Sequence, residues 1–381
     1  MLGGKYMENN PLLPVRNRID EIDRQLLPLF IERMHCSEEV ARIKQKEGIP
    51  ILNPQREAEI LEQMRLSNPE YGDYAKELYT KIFALSRERQ HRMLDTANAF
   101  TKMTAKALHT LPSENLCVAC QGVEGAYAHK ACEQMFPGQR VSFHATWEDV
   151  FAAVKNGEAD FGVLPIENSS AGSVAQVYDL LIQNSFTIAK ATTVRVSHCL
   201  AALCDANQVE EVISHPQALA QCNHYIHTHG YTSRQFSNTA TAGKFISETK
   251  PAHTAAICSE IAAKKYGLRI LETNIQDAKF NRTRFIAISR NLYLTQDANK
   301  ISVCFDIPHV AGSLYNVLER FALHNLNMTK IESRPVPNEP FQYHFYLDFS
   351  GSIFDPDTMQ LISSLWDELP NFTFFGNYLE S

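Results

Sequence analysis

The hydrophobic rhythm of this 381-residue chain changes twice, and its first rhythm is the most restrictive. From about residue 11 to 95 the pattern is helical throughout. Ile19, Ile22, Leu26 and Phe30 recur at three- and four-residue steps, and a second periodic run, Ala75 to Leu94, follows the break at NPEYGDY. Pro28 falls inside the first run, where it should remove a hydrogen bond and bend the axis. Residues 96–115 carry no strong pattern and read as a linker. From Leu116 to Leu292, short apolar runs (VAC, FGVLPI, FTIA, VIS, AAIC, FIAIS) alternate with helical stretches at 173–183 and 216–228. That alternation predicts an α/β architecture with largely parallel sheets. The remainder spells βαββαβ, a ferredoxin-like unit. The expected fold is therefore multidomain: an all-α segment over 10–95, a linker over 96–115, a two-lobed α/β domain over 116–292, and an α+β ferredoxin-like domain over 298–381.

Composition removes several functional classes. A hydrophobic share of 44% with 21% charged residues describes a globular chain with ample core material. The formal net charge of -7 gives no global basic field to attract nucleic acid or an anionic membrane, so neither partner is expected. The N-terminus has no signal-peptide pattern and no stretch approaches the ~18 apolar residues of a span, which predicts a cytoplasmic protein. Nine scattered cysteines fit a reducing compartment, and Cys117 and Cys120 lie in an apolar, strand-like run without a second pair at zinc spacing. Neither GxGxxG nor GxxxxGK[ST] occurs, so no cofactor and no metal is expected.

In the helical segment, Arg33 and Lys44 are separated by eleven residues, hence ~20° apart around a helix and ~16 Å apart along it. Two long cations so placed can bracket one small anion. Arg16 falls about 100° off that face and would serve a different site, unless an intertwined dimer carries it into the partner's pocket. The set R-x2-I-x2-I-D from Arg16, L-x5-Arg33, Lys44, Arg56-Glu57 and Ser86-x3-Gln90 resembles the all-α chorismate mutase family over nearly the whole segment. The resemblance implies that Arg16 of a partner, Arg33 and Arg56 bind carboxylates with help from Ser86. It implies that Lys44 and Gln90 donate to the ether oxygen of chorismate, and that Glu57 accepts from the ring hydroxyl. Asn53 stands where the family usually has an acidic residue, and its carbonyl can still accept a hydrogen bond.

In the α/β segment, neutral polar clusters fall where strands end: GVEGAYAH, PIENSSAGSV, SHPQALAQC, SNTATAG and FNRTRF. Ligands in open α/β sheets bind at such ends. In this order, the clusters closely resemble prephenate dehydratase across 116–292, and Thr283-Arg284-Phe285 is the most specific signature. The resemblance implies that Thr283 donates to, or positions, the departing hydroxyl, with Glu167 relaying or orienting a proton and Arg284 anchoring a carboxylate. Asn168, Ser214 and Gln221 match substrate-orienting positions. The final domain resembles ACT-type amino-acid-binding domains through GSLYNVLERF at 312–321 and IESRP at 331–335. That implies L-phenylalanine as effector, held by Gly312, Ser313, Leu314, Glu332, Ser333, Arg334 and Pro335 across a homodimer or higher homo-oligomer. Ser313 replaces a customary Ala. Arogenate as dehydratase substrate, or a non-catalytic aromatic-metabolite sensor, are the rival readings.

Overall fold

The computed structural model describes residues 11–93, 98–278, 280–337 and 339–381. Leu94, the two ends of the expected 10–95 domain and the first two linker residues lie outside them. Contacts divide the chain into two compact units, Met1–Thr101 with Gln360–Glu368, and Lys102–Met359 with Leu369–Ser381. Among the described residues, no helix is long and apolar enough to cross a membrane.

The helical unit opens with α1 (Leu13–Glu47), which continues through Pro28 rather than ending there and stops at Gly48 in the left-handed region. Helix α2 (Pro54–Leu66) starts where Asn53 accepts from the Arg56 amide at 3.1 Å and Pro54 supplies a preset φ. Helix α3 (Gly72–Met93) follows. The expected linker contains a short helix, α4 (Ala99–Thr104), with Phe100 fully buried.

The second unit runs β1 (Cys117–Gln121), α5 (Tyr127–Met135), β2 (Arg140–His144), α6 (Trp147–Asn156), β3 (Phe161–Asn168), β4 (Gly172–Ser173), α7 (Ala175–Asn184) and β5 (Thr187–Arg195). A second lobe follows: β6 (Cys199–Ala202), β7 (Glu211–Ser214), α8 (Pro216–Gln221), α9 (Asn223–Thr228), β8 (Thr232–Gln235), α10 (Thr239–Thr249), β9 (Thr254–Cys258), α11 (Glu260–Lys265) and β10 (Arg269–Thr273). Strand β11 (Arg282–Ser289) then returns the chain to the first lobe. The last 82 residues, from Lys300, give β12 (Lys300–Asp306), α12 (Ser313–Leu323), β13 (Met328–Pro335), β14 (Tyr343–Ser350), α13 (Pro356–Glu368) and β15 (Thr373–Glu380).

The main sheet has the order β13-β14-β12-β15-β5-β11-β3-β1-β2, and the second lobe is a sheet of order β10-β6-β9-β7-β8. Neither is largely parallel. Strand β11 is antiparallel to both β3 and β5, and β6 is antiparallel to both β9 and β10. The cause is the excursion into the second lobe. A strand returning from it enters the first sheet at the edge where β3 ends, so it must run against β3. This return places Thr283 directly opposite Asn168. The βαββαβ segment adopts the order β13-β14-β12-β15 with antiparallel neighbours, and β15 joins β5 in parallel at Leu379 and Glu380.

Candidate active sites

In the helical unit, a cavity of about 300 Å³ is lined by Arg33, Lys44, Asn53, Arg56, Glu57, Ser86 and Gln90, together with Arg87, which sequence reasoning passed over. Helix α1 supplies the first two, the capped start of α2 the next three, and α3 the rest. Arg33 is fixed from two sides: its guanidinium donates to Ser86 Oγ at 2.8 Å and lies over the Phe83 ring at 5.3 Å from its centroid. Lys44 Nζ donates to the Ile51 carbonyl at 2.5 Å, and burial lowers its pKa against the opposing pull of Glu57. Arg87 grips both Glu57 oxygens, at 2.6 and 2.5 Å. Arg87 and Gln90 lie three residues apart on α3, a spacing that brings side chains to one face. That spacing was the available signal for Arg87. The carbonyl oxygen of Gln90 is buried without a hydrogen-bond partner.

The lining carries four cations and one carboxylate; Glu57 and Glu368 both hold Arg87 and Glu59 lies 3.5 Å from Arg56, which leaves Arg33 and Lys44 to give the cavity its positive character toward an anion. Arg16 is not among its lining residues. It sits seventeen residues before Arg33 on α1, about 25 Å along the axis.

The second cavity, of about 200 Å³, lies between the two lobes. Asn168, Gln221 and Thr283 line it, with Tyr127, His198, His215, Gln217, Asn238 and Thr239. Asn168 is oriented by its own network. Its Oδ1 accepts from the Ser170 and Ala171 amides, both at 3.0 Å, so its Nδ2 must donate. It donates to Thr283 Oγ1 at 2.9 Å and to Asn281 Oδ1 at 2.8 Å. Thr283 Oγ1 thus accepts from Asn168, which leaves its own hydrogen available to another acceptor.

The rest of the lining is uncharged. Burial lowers the pKa of His198 and of His215 and raises that of Tyr127, so all three stay neutral near pH 7. His198 Nε2 lies 3.0 Å from Gln221 Oε1, and the Tyr127 hydroxyl donates to the Ser197 carbonyl at 2.6 Å. His215, Asn238 and Tyr127 belong to the polar clusters visible in the sequence. His198 follows β5 at the same sheet edge, and that strand-end position was its only sequence signal.

Three expected residues are elsewhere. Ser214 is fully buried and donates to the Ile257 carbonyl at 2.5 Å, tying β7 to β9. Side chains alternate along a strand, so the neighbours of Thr283 and Asn168 point to the opposite face of the sheet. Arg284 accordingly pairs with Asp348 and Glu380 and donates to the Tyr378 hydroxyl at 2.8 Å. Glu167 pairs with Lys330 at 2.9 Å. Neither lines the cavity, which has no arginine, lysine, aspartate or glutamate among the described residues.

In the C-terminal segment, Gly312, Ser313 and Leu314 line a third cavity, of about 420 Å³. The IESRP residues do not join them. Glu332 accepts from Ser173 Oγ at 2.6 Å and Arg334 pairs with Asp179 at 3.0 Å, while Ser333 and Pro335 are exposed on the other face of β13.

Two small-molecule cavities, one cationic on a helical scaffold and one neutral between α/β lobes, define a chain with two enzyme-type sites. The type II chorismate mutase family profile matches residues 15–91 and the prephenate dehydratase profile matches residues 118–292. A bifunctional chorismate mutase/prephenate dehydratase of Enterobacter agglomerans is 31% identical over 370 residues, covering 94% of this chain and 93% of that one. An arogenate dehydratase/prephenate dehydratase 2 of Arabidopsis thaliana is 36% identical over 274 residues, covering 68% of this chain and 72% of that one. A solved prephenate dehydratase from Arthrobacter aurescens, in complex with L-Phe, is 26% identical with a TM-score of 0.64, covering 69% of this chain and 90% of that one. The chain belongs to the bifunctional chorismate mutase/prephenate dehydratase family, with a helical mutase domain and an α/β dehydratase domain.

Proposed function

We propose that the chain converts chorismate to prephenate in the helical cavity and prephenate to phenylpyruvate in the inter-lobe cavity, as consecutive cytoplasmic steps of phenylalanine biosynthesis. One observation carries this: two cavities in one chain, one lined by cations and one by neutral polar groups around Thr283. The first reaction breaks a C–O bond as a C–C bond forms and moves no proton, so the enzyme must hold a folded dicarboxylate and stabilise charge on the ether oxygen. Arg33 and Arg56 take carboxylates, Lys44 and Gln90 face the ether oxygen, and Arg87 holds the Glu57 carboxylate for the ring hydroxyl.

The second reaction expels hydroxide and carbon dioxide together as the ring becomes aromatic. Thr283, receiving a hydrogen bond from Asn168, hydrogen-bonds through its own O–H to the departing oxygen, which leaves as hydroxide while the electrons of the broken C–CO2 bond complete the aromatic ring. With Arg284 on the far face, the carboxylates are received by backbone N–H groups where α5 and α10 open onto the cavity, at Tyr127 and Thr239. Arogenate remains a second reading because one relative carries both names, and turnover of the two substrates side by side decides it.

Helix α1 also calls for a second copy. It is 35 residues long yet buries only Ala41, and Leu12, Val15, Ile19, Ile22, Leu26 and Leu29 form an exposed apolar stripe at heptad spacing. Pairing with the same stripe of another chain covers it and carries Arg16 to the partner's cavity. Sedimentation should give at least twice the 43.1 kDa chain mass, and a stable monomer would refute the pairing.

The C-terminal segment is an ACT-type domain on this reading, with phenylalanine as feedback effector. Gly312 has φ +84 and an added Cβ would meet nothing within 4 Å, so a side chain there is opposed by backbone strain alone. Its position at the start of α12 turns backbone N–H groups to the cavity. Gly312→Val should weaken phenylalanine inhibition at least tenfold while prephenate turnover stays measurable, as read by inhibition curves; unchanged inhibition would remove the effector from this cavity. Removing residues 298–381 is a poorer test, because β15 pairs with β5.

A further inference from the structure

Residues 167–168 of β3 and 283–284 of β11 are paired in register, Thr283 opposite Asn168 and Arg284 opposite Glu167. Asn168 and Thr283 face the cavity. Their charged neighbours are held from the other side by the C-terminal sheet. Arg284 is largely buried against Asp348 of β14 and Glu380 and Tyr378 of β15, and Ser302 of β12 ties that cluster together by donating to Asp348 at 2.5 Å and meeting the Tyr378 hydroxyl at 2.7 Å. Glu167 is held by Lys330 of β13, whose ammonium also reaches Ser173 Oγ at 2.7 Å. Strands β12, β13, β14 and β15 all contribute.

We infer that Arg284 and Glu167 are positioning residues through which the C-terminal sheet sets the geometry of the Asn168–Thr283 pair. The Asn168–Thr283 contact is one 2.9 Å hydrogen bond between adjacent strands, so a small slide of either strand spoils it. Each strand is pinned one residue away by a charge whose partner lies on the other domain. A ligand that shifts the C-terminal sheet therefore changes the catalytic pair without entering the cavity. This rests on the reading that Thr283 acts on the leaving hydroxyl and that phenylalanine binds the C-terminal domain.

The test uses the full-length chain with Arg284→Met, Arg284→Lys and Lys330→Met, assayed on prephenate with and without phenylalanine, with chorismate turnover as an internal check of folding. Arg284→Met should lower kcat at least tenfold with KM within about threefold, and Arg284→Lys should recover part of the loss. Lys330→Met, which frees Glu167 on β3 while the Arg284 anchor on β11 stays, should lower kcat by a smaller factor than Arg284→Met and raise the half-inhibitory phenylalanine concentration at least about fivefold. If Arg284→Met instead raises KM with kcat retained, Arg284 contacts substrate and the inference is wrong. Should Arg284→Met fail to fold, Lys330→Met decides: unchanged inhibition there overturns the coupling. A parent enzyme indifferent to phenylalanine would sink the effector reading alone, and the kcat-against-KM split would still judge the positioning role.

Discussion

Replacing Thr283 by Ala should lower the dehydratase kcat by at least ~10²-fold, with a smaller change in KM. The reason is directional. Asn168 occupies a lone pair of the Thr283 oxygen at 2.9 Å, which leaves the hydroxyl hydrogen for the substrate and makes it matter most as the hydroxide departs. Thr283→Ser keeps the oxygen and should retain more activity than the Ala variant. A threonine hydroxyl is a weak acid, but as a hydrogen-bond donor strengthened by the Asn168 bond it stabilises the charge that develops on a group leaving as hydroxide. Steady-state rates on prephenate check this. Ala and Ser variants both close to the parent rate would reduce Thr283 to a residue at the start of a strand.

Lys44→Ala should cost roughly 3 kcal/mol of transition-state stabilisation in the mutase, about a hundredfold in rate. Lys44 lines the cationic cavity and its ammonium is partly desolvated there, where a donor to a developing oxyanion counts for more than in water. Dehydratase turnover of supplied prephenate should persist, because the two cavities lie in separate compact units. Chorismate turnover near the parent rate in this variant would remove Lys44 from the chemistry.

The helical site was readable because one helix carries its own geometry: the eleven-residue step from Arg33 to Lys44 fixes both residues on one face without knowledge of any partner. The cap at Asn53 likewise delivers Arg56 and Glu57 by local rules. The second site was readable only as clusters. Local sequence shows that Thr283 and Arg284 are adjacent, but not which face of the sheet meets the cleft and which meets another domain. Strand alternation separates them, and the C-terminal sheet, remote in sequence, decides where the arginine goes. Ser214 lies off the cavity for a related reason: a hydroxyl at a strand end serves the neighbouring strand's carbonyl as readily as a ligand. The parallel sheets expected from β/α alternation became mixed because the chain leaves one lobe, builds another and returns, a non-local event. Arg87 was passed over although its spacing to Gln90 was visible, since a lone arginine on a helix reads as surface.

The most direct test of the whole account is a single-enzyme time course: purified chain with chorismate alone, following prephenate and phenylpyruvate together, run beside separate reactions started from prephenate and from arogenate. The account predicts that prephenate appears first and phenylpyruvate follows, with Lys44→Ala slowing the first appearance and Thr283→Ala stopping the sequence at accumulated prephenate. Chorismate left unchanged, or prephenate that accumulates with the unmodified chain and never yields phenylpyruvate, would contradict it.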